Sequence, residues 1–155
     1  MTIGILGGTG PQGRGLTRRL AAAGHRVVVG SRSADRAQAV AAEYADVGDV
    51  TGADNAGAAS ADLVIVAVPY DGHAELLRTH AADLAGKIVV DCVNPLGFDK
   101  GGPFALPVPE GSAAEQAQAL LPDSRVVGVQ DDHVEADPRP VRSGFTHDHR
   151  LTGGH

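Results

Sequence analysis

Residues 7–13 read Gly-Gly-Thr-Gly-Pro-Gln-Gly, and they contain the spacing G-x-G-x-x-G at Gly8, Gly10 and Gly13. Such a turn can cradle a pyrophosphate. Gly8 permits a tight turn, Gly10 lets the backbone approach the phosphates, and Gly13 lets a helix pack closely on a strand. The spacing alone is weak evidence, because a ligand-free strand-to-helix turn can carry it too. Here it follows the strand-like run Thr2-Ile3-Gly4-Ile5-Leu6 and opens a helix, which is the context a dinucleotide site requires. The helix start at Pro11 and Gln12 offers unpaired N–H groups and partial positive charge to the phosphates. Thr9 adds a hydroxyl donor.

A site for NAD places Asp or Glu roughly 20 residues beyond this fingerprint, to accept from the ribose 2′-OH. This chain instead has Gly30-Ser31-Arg32, with Arg36 four residues further on. A carboxylate would repel a 2′-phosphate, whereas Ser31 and the guanidinium groups of Arg32 and Arg36 can bind one. NADP is therefore expected over NAD, although an Arg-x-x-x-Arg pair also suits a solvated helix start. Pro69 and Tyr70 follow a fourth strand and are expected to line the nicotinamide pocket. Asn94 follows a fifth and suits either a cofactor hydrogen bond or a turn before Pro95. His73 lies beside this wall; a solvated position in the first helical turn is expected rather than a general acid. No catalytic residue and no metal site is expected. C-x-x-C and H-E-x-x-H are absent, and His147 and His149 flank Asp148 without metal-site spacing.

The elements that position these residues alternate. Strand-like runs are Thr2–Leu6, Arg26–Gly30, a brief stretch near Val50 and Thr51, Leu63–Val68, Lys87–Asp91 and Ser124–Val129. Between them, helices are expected from about Leu16 to the stop at Gly24, over Ala34–Ala45, over Asp71–Ala85 and over Ala113–Leu121. Ser33 or Ser31 can cap the second, and Ser112 with Glu115 forms a capping box for the last. A loop rich in Gly and Pro is expected from Asn94 to Gly111. Strands that are apolar throughout, such as Leu63–Val68, are buried on both faces. The expected fold class is α/β: a Rossmann-like doubly wound parallel sheet of about six strands over residues 1–129, followed by an irregular C-terminal tail. Residues 130–155 show no apolar periodicity, and Asp137-Pro138-Arg139-Pro140 cannot enter a helix interior or central strand.

Composition excludes several classes. Thirteen basic against 19 acidic residues leave a net charge of −6, which argues against nucleic acid or a membrane surface as partner. No apolar run approaches the roughly 20 residues of a membrane span. A single cysteine suits a reducing compartment, so a cytoplasmic location is expected.

Ile5-Leu6-Gly7-Gly8-Thr9-Gly10, Val28-Val29-Gly30-Ser31-Arg32, Ala67-Val68-Pro69-Tyr70 and Asp91-Cys92-Val93-Asn94-Pro95 together resemble the NADPH-dependent coenzyme F420 reductases. The resemblance covers residues 1 to about 128. It implies an oxidoreductase that transfers a hydride between NADP(H) and the deazaflavin coenzyme F420, a small-molecule co-substrate. It further implies that Thr9, Gly10, Pro11 and Gln12 hold the pyrophosphate, that Ser31, Arg32 and Arg36 hold the 2′-phosphate, and that Pro69 and Tyr70 line the nicotinamide pocket. A homodimer is compatible with it. Family members continue after the sixth strand with an apolar segment and an α-helical portion, whereas Val127-Gly128-Val129 here runs into Gln130-Asp131-Asp132-His133; a shifted reading frame or a chimeric gene model would explain that change. Two other functions fit the same residues: an NADP-binding module without turnover, and an NADPH-dependent reductase of another small substrate.

Overall fold

The order of strands along one sheet decides where a ligand can lie, and here it reverses direction once. In the computed structural model, which describes residues 1–129, six parallel strands stand in the order β3-β2-β1-β4-β5-β8. They are β1 (Thr2–Leu6), β2 (Arg26–Ser31), β3 (Val50–Asp54), β4 (Leu63–Val66), β5 (Ile88–Asp91) and β8 (Arg125–Gly128). The chain winds outward from β1 through β2 to β3, then returns to the other side of β1 for β4, β5 and β8. The switch between β1 and β4 opens a crevice beyond their carboxyl ends. The α/β doubly wound sheet of six parallel strands expected above is therefore the observed fold. The tail expected over 130–155 lies outside the described residues.

Continuous apolar strands are buried on both faces because helices cover both. Helix α1 (Pro11–Ala22) brings Ala21 onto Ile3, Ile5, Val27 and Ile65 on one face. Helix α2 (Ala34–Ala42) seals Ala37 and Val40 over Val29. On the other face, α3 (Asn55–Ala59), α4 (Tyr70–Leu84) and α5 (Ala113–Leu120) pack Ala58, Leu77, Leu84 and Ala117 against Leu6, Val64, Val66 and Val89. With 3% aromatic residues the core is aliphatic, and close backbone approach compensates for small side chains. At Gly52 a methyl group would come within 2.3 Å of the Ala37 backbone, so α2 lies directly on β3.

Three features depart from the sequence reading. The segment Asn94–Gly111 is not all loop, because Leu96–Asp99 (β6) and Gly102–Ala105 (β7) pair as an antiparallel hairpin. Gly102, at φ +107°, turns that hairpin, and Phe104 packs against the face that Gly97 leaves bare. Between β3 and β4 lies the short helix α3, capped by the Asp54 carboxylate, which accepts from Gly57 N at 2.8 Å. Helix α2 ends at Ala42, with residues 43–47 in turns rather than helix. The caps are as expected: Ser33 Oγ accepts from Arg36 N, and Ser112 Oγ from Glu115 N.

Candidate functional site

The glycine turn at the end of β1 is built by backbone, and each glycine has a different reason. Gly7 takes the left-handed conformation, at φ +69°, so the reversal of the chain falls there rather than at Gly8. Gly8 is buried, and its N–H donates to Gly30 O at 2.9 Å, tying the turn to β2. A methyl group on Gly13 would lie 2.5 Å from the Gly8 Cα, so helix and turn touch backbone to backbone. Gly10 differs: a methyl group there would meet nothing nearer than Gly7 O at 3.8 Å. The protein itself does not require glycine at that position. Its openness fits a ligand that comes close to the main chain.

Gly10 is the N-cap of α1 and Pro11 its first residue, which lacks an N–H that would have no partner anyway. The first-turn N–H groups of Gln12 and Gly13 have no intrahelical acceptor and face the crevice end. Arg14 Nε donates to Thr9 O at 3.0 Å, and its guanidinium pairs with Glu43 at 2.6 Å, so α1 and α2 are clamped beside the turn. The sequence reading missed Asn55. This buried side chain accepts from Gly7 N at 3.3 Å and holds the turn from below. Nothing in Asn55-Ala-Gly distinguishes it from a loop asparagine.

At the end of β2, Ser31 is buried and its Oγ accepts from Ser33 N, while Arg32 and Arg36 are exposed at the start of α2. Among the described residues neither guanidinium has a carboxylate within salt-bridge distance. Pro69 is exposed at the N-cap of α4, and Tyr70 is half-buried behind it. Asn94 is half-buried beyond β5 and accepts from Leu96 N at 2.8 Å through its backbone oxygen, which makes it a turn former before Pro95. Parallel strands bring all twelve of the expected residues to one edge of the sheet: Gly8, Thr9, Gly10, Pro11, Gln12 and Gly13 after β1, Ser31, Arg32 and Arg36 after β2, Pro69 and Tyr70 after β4, and Asn94 after β5.

His73 is not the solvated first-turn residue that its sequence position suggests. It is fully buried, and its Nε2–H donates to the Asp91 carboxylate at 2.7 Å. Cys92 follows Asp91 and is buried; desolvation pushes its thiol above its ordinary pKa, and the Asp91 charge adds to the shift. A thiol raised in this way is a poor nucleophile. Native protein at neutral pH is therefore expected to react with a thiol reagent far more slowly than unfolded protein, measured by the release of the chromophore. Because the folded pKa is the higher one, this group stabilises the fold fully below its unfolded pKa, about 8.5. That contribution is lost as pH rises through the folded value.

Similarity to known proteins shows the family and the fold. Residues 2–95 match the family described as NADP oxidoreductase, coenzyme F420-dependent. The F420-dependent NADP reductase of Methanothermobacter marburgensis is 37% identical over 131 residues, covering 79% of this chain and 58% of that protein. That of Methanocaldococcus jannaschii is 37% identical over 140 residues, covering 83% and 62%. This chain thus spans about three fifths of the length of the reductases it matches. A crystal structure from Arthrobacter sp. FB24, of a protein proposed to be an F420-dependent NADP reductase, superposes with a TM-score of 0.73 at 34% identity, covering 89% of this chain and 67% of that one.

Proposed function

The chain belongs to the coenzyme F420-dependent NADP oxidoreductase family, and from that premise we propose that residues 1–129 bind NADP(H) for hydride exchange with the deazaflavin coenzyme F420. The observation that carries the reading is the turn at Gly7–Gly13. It presents a helix N-terminus and an unfilled approach to the backbone at Gly10. The donors fit the group: unpaired first-turn N–H groups for the pyrophosphate, and Ser31, Arg32 and Arg36 for a 2′-phosphate.

When bound, the nicotinamide supplies the hydride chemistry itself. What the chain contributes is orientation. The crevice between the ends of β1 and β4 fixes the dinucleotide at its phosphates, and the Pro69–Tyr70 wall limits where the far ring can lie. Hydride exchange between two ring systems asks chiefly for held geometry, and an acid–base residue is not needed at the reacting carbon. Turnover is tested by following NADPH oxidation with coenzyme F420 present. A chain that binds NADPH but leaves the deazaflavin oxidised would instead be a binding module.

Cofactor choice has its own test. Arg32→Ala should weaken NADPH binding by about 1.5–3 kcal/mol, the scale of a hydrogen bond to a charged group, and leave NADH binding nearly unchanged. Calorimetric titration with both nucleotides checks it, and equal losses would remove the 2′-phosphate role from Arg32.

A cytoplasmic location and a homodimer complete the proposal. Supporting the first is the lone thiol; supporting the second are Ile88, Val127 and Val129, exposed on β5 and at β8 where no described helix covers them. Light scattering on the purified chain would decide the assembly.

A further inference from the structure

Beneath the Pro69–Tyr70 wall lies a polar cluster that binding of the phosphates does not use. Among the described residues, His73 on α4 and Asp91 at the end of β5 form a hydrogen-bonded pair at 2.7 Å, with side-chain exposures of 0% and 1%. Each end of the pair reaches a different segment. The second Asp91 oxygen accepts from Val93 N at 3.0 Å, in the stretch that leads to Asn94. His73 Nδ1 lies 3.4 Å from Gln116 Oε1 on α5, and the Gln116 amide nitrogen donates to Glu110 at 3.3 Å. The Tyr70 ring stacks on the His73 ring with centroids 6.1 Å apart and planes 30° from parallel.

Stability alone does not account for this arrangement. Taking two polar side chains out of water costs free energy that the hydrogen bond between them only roughly offsets, so well-packed apolar residues of the same volume would serve stability as well. What such a pair supplies is a fixed geometry, and here it joins three segments at one point. The start of α4 carries Tyr70, the exit of β5 carries Asn94, and α5 backs both. We propose that His73 and Asp91 are a positioning pair, which sets the Tyr70 ring and the Val93–Asn94 backbone at the spacing that receives the nicotinamide end of the dinucleotide. This inference rests on the NADP reading of the crevice. The pair touches neither the glycine turn nor Ser31, Arg32 and Arg36, so its effect is confined to one half of the ligand.

That confinement gives the test. The full chain is titrated calorimetrically with NADPH and with adenosine 2′,5′-bisphosphate, which keeps the 2′-phosphate half and lacks the nicotinamide. His73→Phe removes both ring nitrogens and leaves the buried Asp91 Oδ2 without a partner. It should lose about tenfold in NADPH affinity, equivalent to 1.4 kcal/mol, with bisphosphate affinity unchanged. Asp91→Asn keeps a partner at both ends, since the imidazole can exchange tautomers and accept from the new amide. That variant should stay within about twofold of the parent for both ligands, well under the tenfold unit. Tyr70→Leu acts at a half-exposed ring and does not threaten the core, so it decides the matter if His73→Phe fails to fold. It should reproduce the loss specific to NADPH. Equal losses for both ligands in a variant, or unchanged NADPH affinity in folded His73→Phe or in Tyr70→Leu, would overturn the positioning role. A parent chain that binds the bisphosphate and NADPH equally would overturn it too. A parent chain that binds neither overturns the NADP reading itself and this inference with it.

Discussion

Replacing Gly10 with valine should abolish binding of NADPH and NADH alike, by at least about a hundredfold or roughly 3 kcal/mol, while the protein stays folded. The two halves of that expectation have separate causes. Gly10 sits at φ −79° and ψ 173°, an extended conformation that a β-branched residue adopts readily. A methyl group there meets only Gly7 O at 3.8 Å, so the protein has room for a side chain. The cost falls on the ligand, because the branched side chain occupies the space through which the pyrophosphate must reach the first-turn N–H groups. Both nucleotides share the pyrophosphate, so both are excluded. Circular dichroism and the melting temperature should match the parent, and calorimetry should show no heat of binding. Full affinity in this variant would place the phosphate site elsewhere on the molecule.

The elements that sequence reasoning found are those whose signal is local. Leu63-Val64-Ile65-Val66 is apolar at every position, short and mostly β-branched, which fits a strand covered on both faces. The turn at Gly7–Gly13 is legible for the same reason, since its chemistry is written in consecutive residues. The hairpin β6–β7 was hidden because Gly97, Gly102 and Pro103 read as loop punctuation, and its pairing, Leu96 against Ala105, depends on a turn conformation. Helix α3 escaped notice at five residues, one of them glycine, with no apolar face long enough to register. Within the site, the missed residues are those whose partners lie far along the chain. Asn55 meets Gly7 across 48 residues, and His73 meets Asp91 across 18. Periodicity places a residue on a face of its own helix, but it says nothing of the residue that faces it from another element. Even the glycines were legible only in part: the spacing marks Gly8, Gly10 and Gly13 alike, whereas packing separates one that faces open space from two that meet the protein.

That separation leads to the opposite expectation for Gly13. Gly13→Ala should destabilise the fold by about 3 kcal/mol, the upper part of the range for overpacking a well-filled site. The added carbon would sit 2.5 Å from Gly8 Cα and 2.7 Å from Gly8 C and O, distances no Cβ tolerates. The obstructing atoms are backbone, so no side chain can swing away. Relief requires α1 to retreat from the turn, which pulls buried Thr17 and Ala21 from their packing on the sheet. It also strains the Gly8 N–H bond to Gly30. For a domain of this size the melting temperature should fall by about 10 °C or more. NADPH affinity should fall with it, because the first-turn N–H groups move with α1. Gly10→Ala is the matched control, expected to melt with the parent. If Gly13→Ala also melts with the parent, α1 does not lie against Gly8 as described, and the close helix–turn contact on which the phosphate site depends is absent.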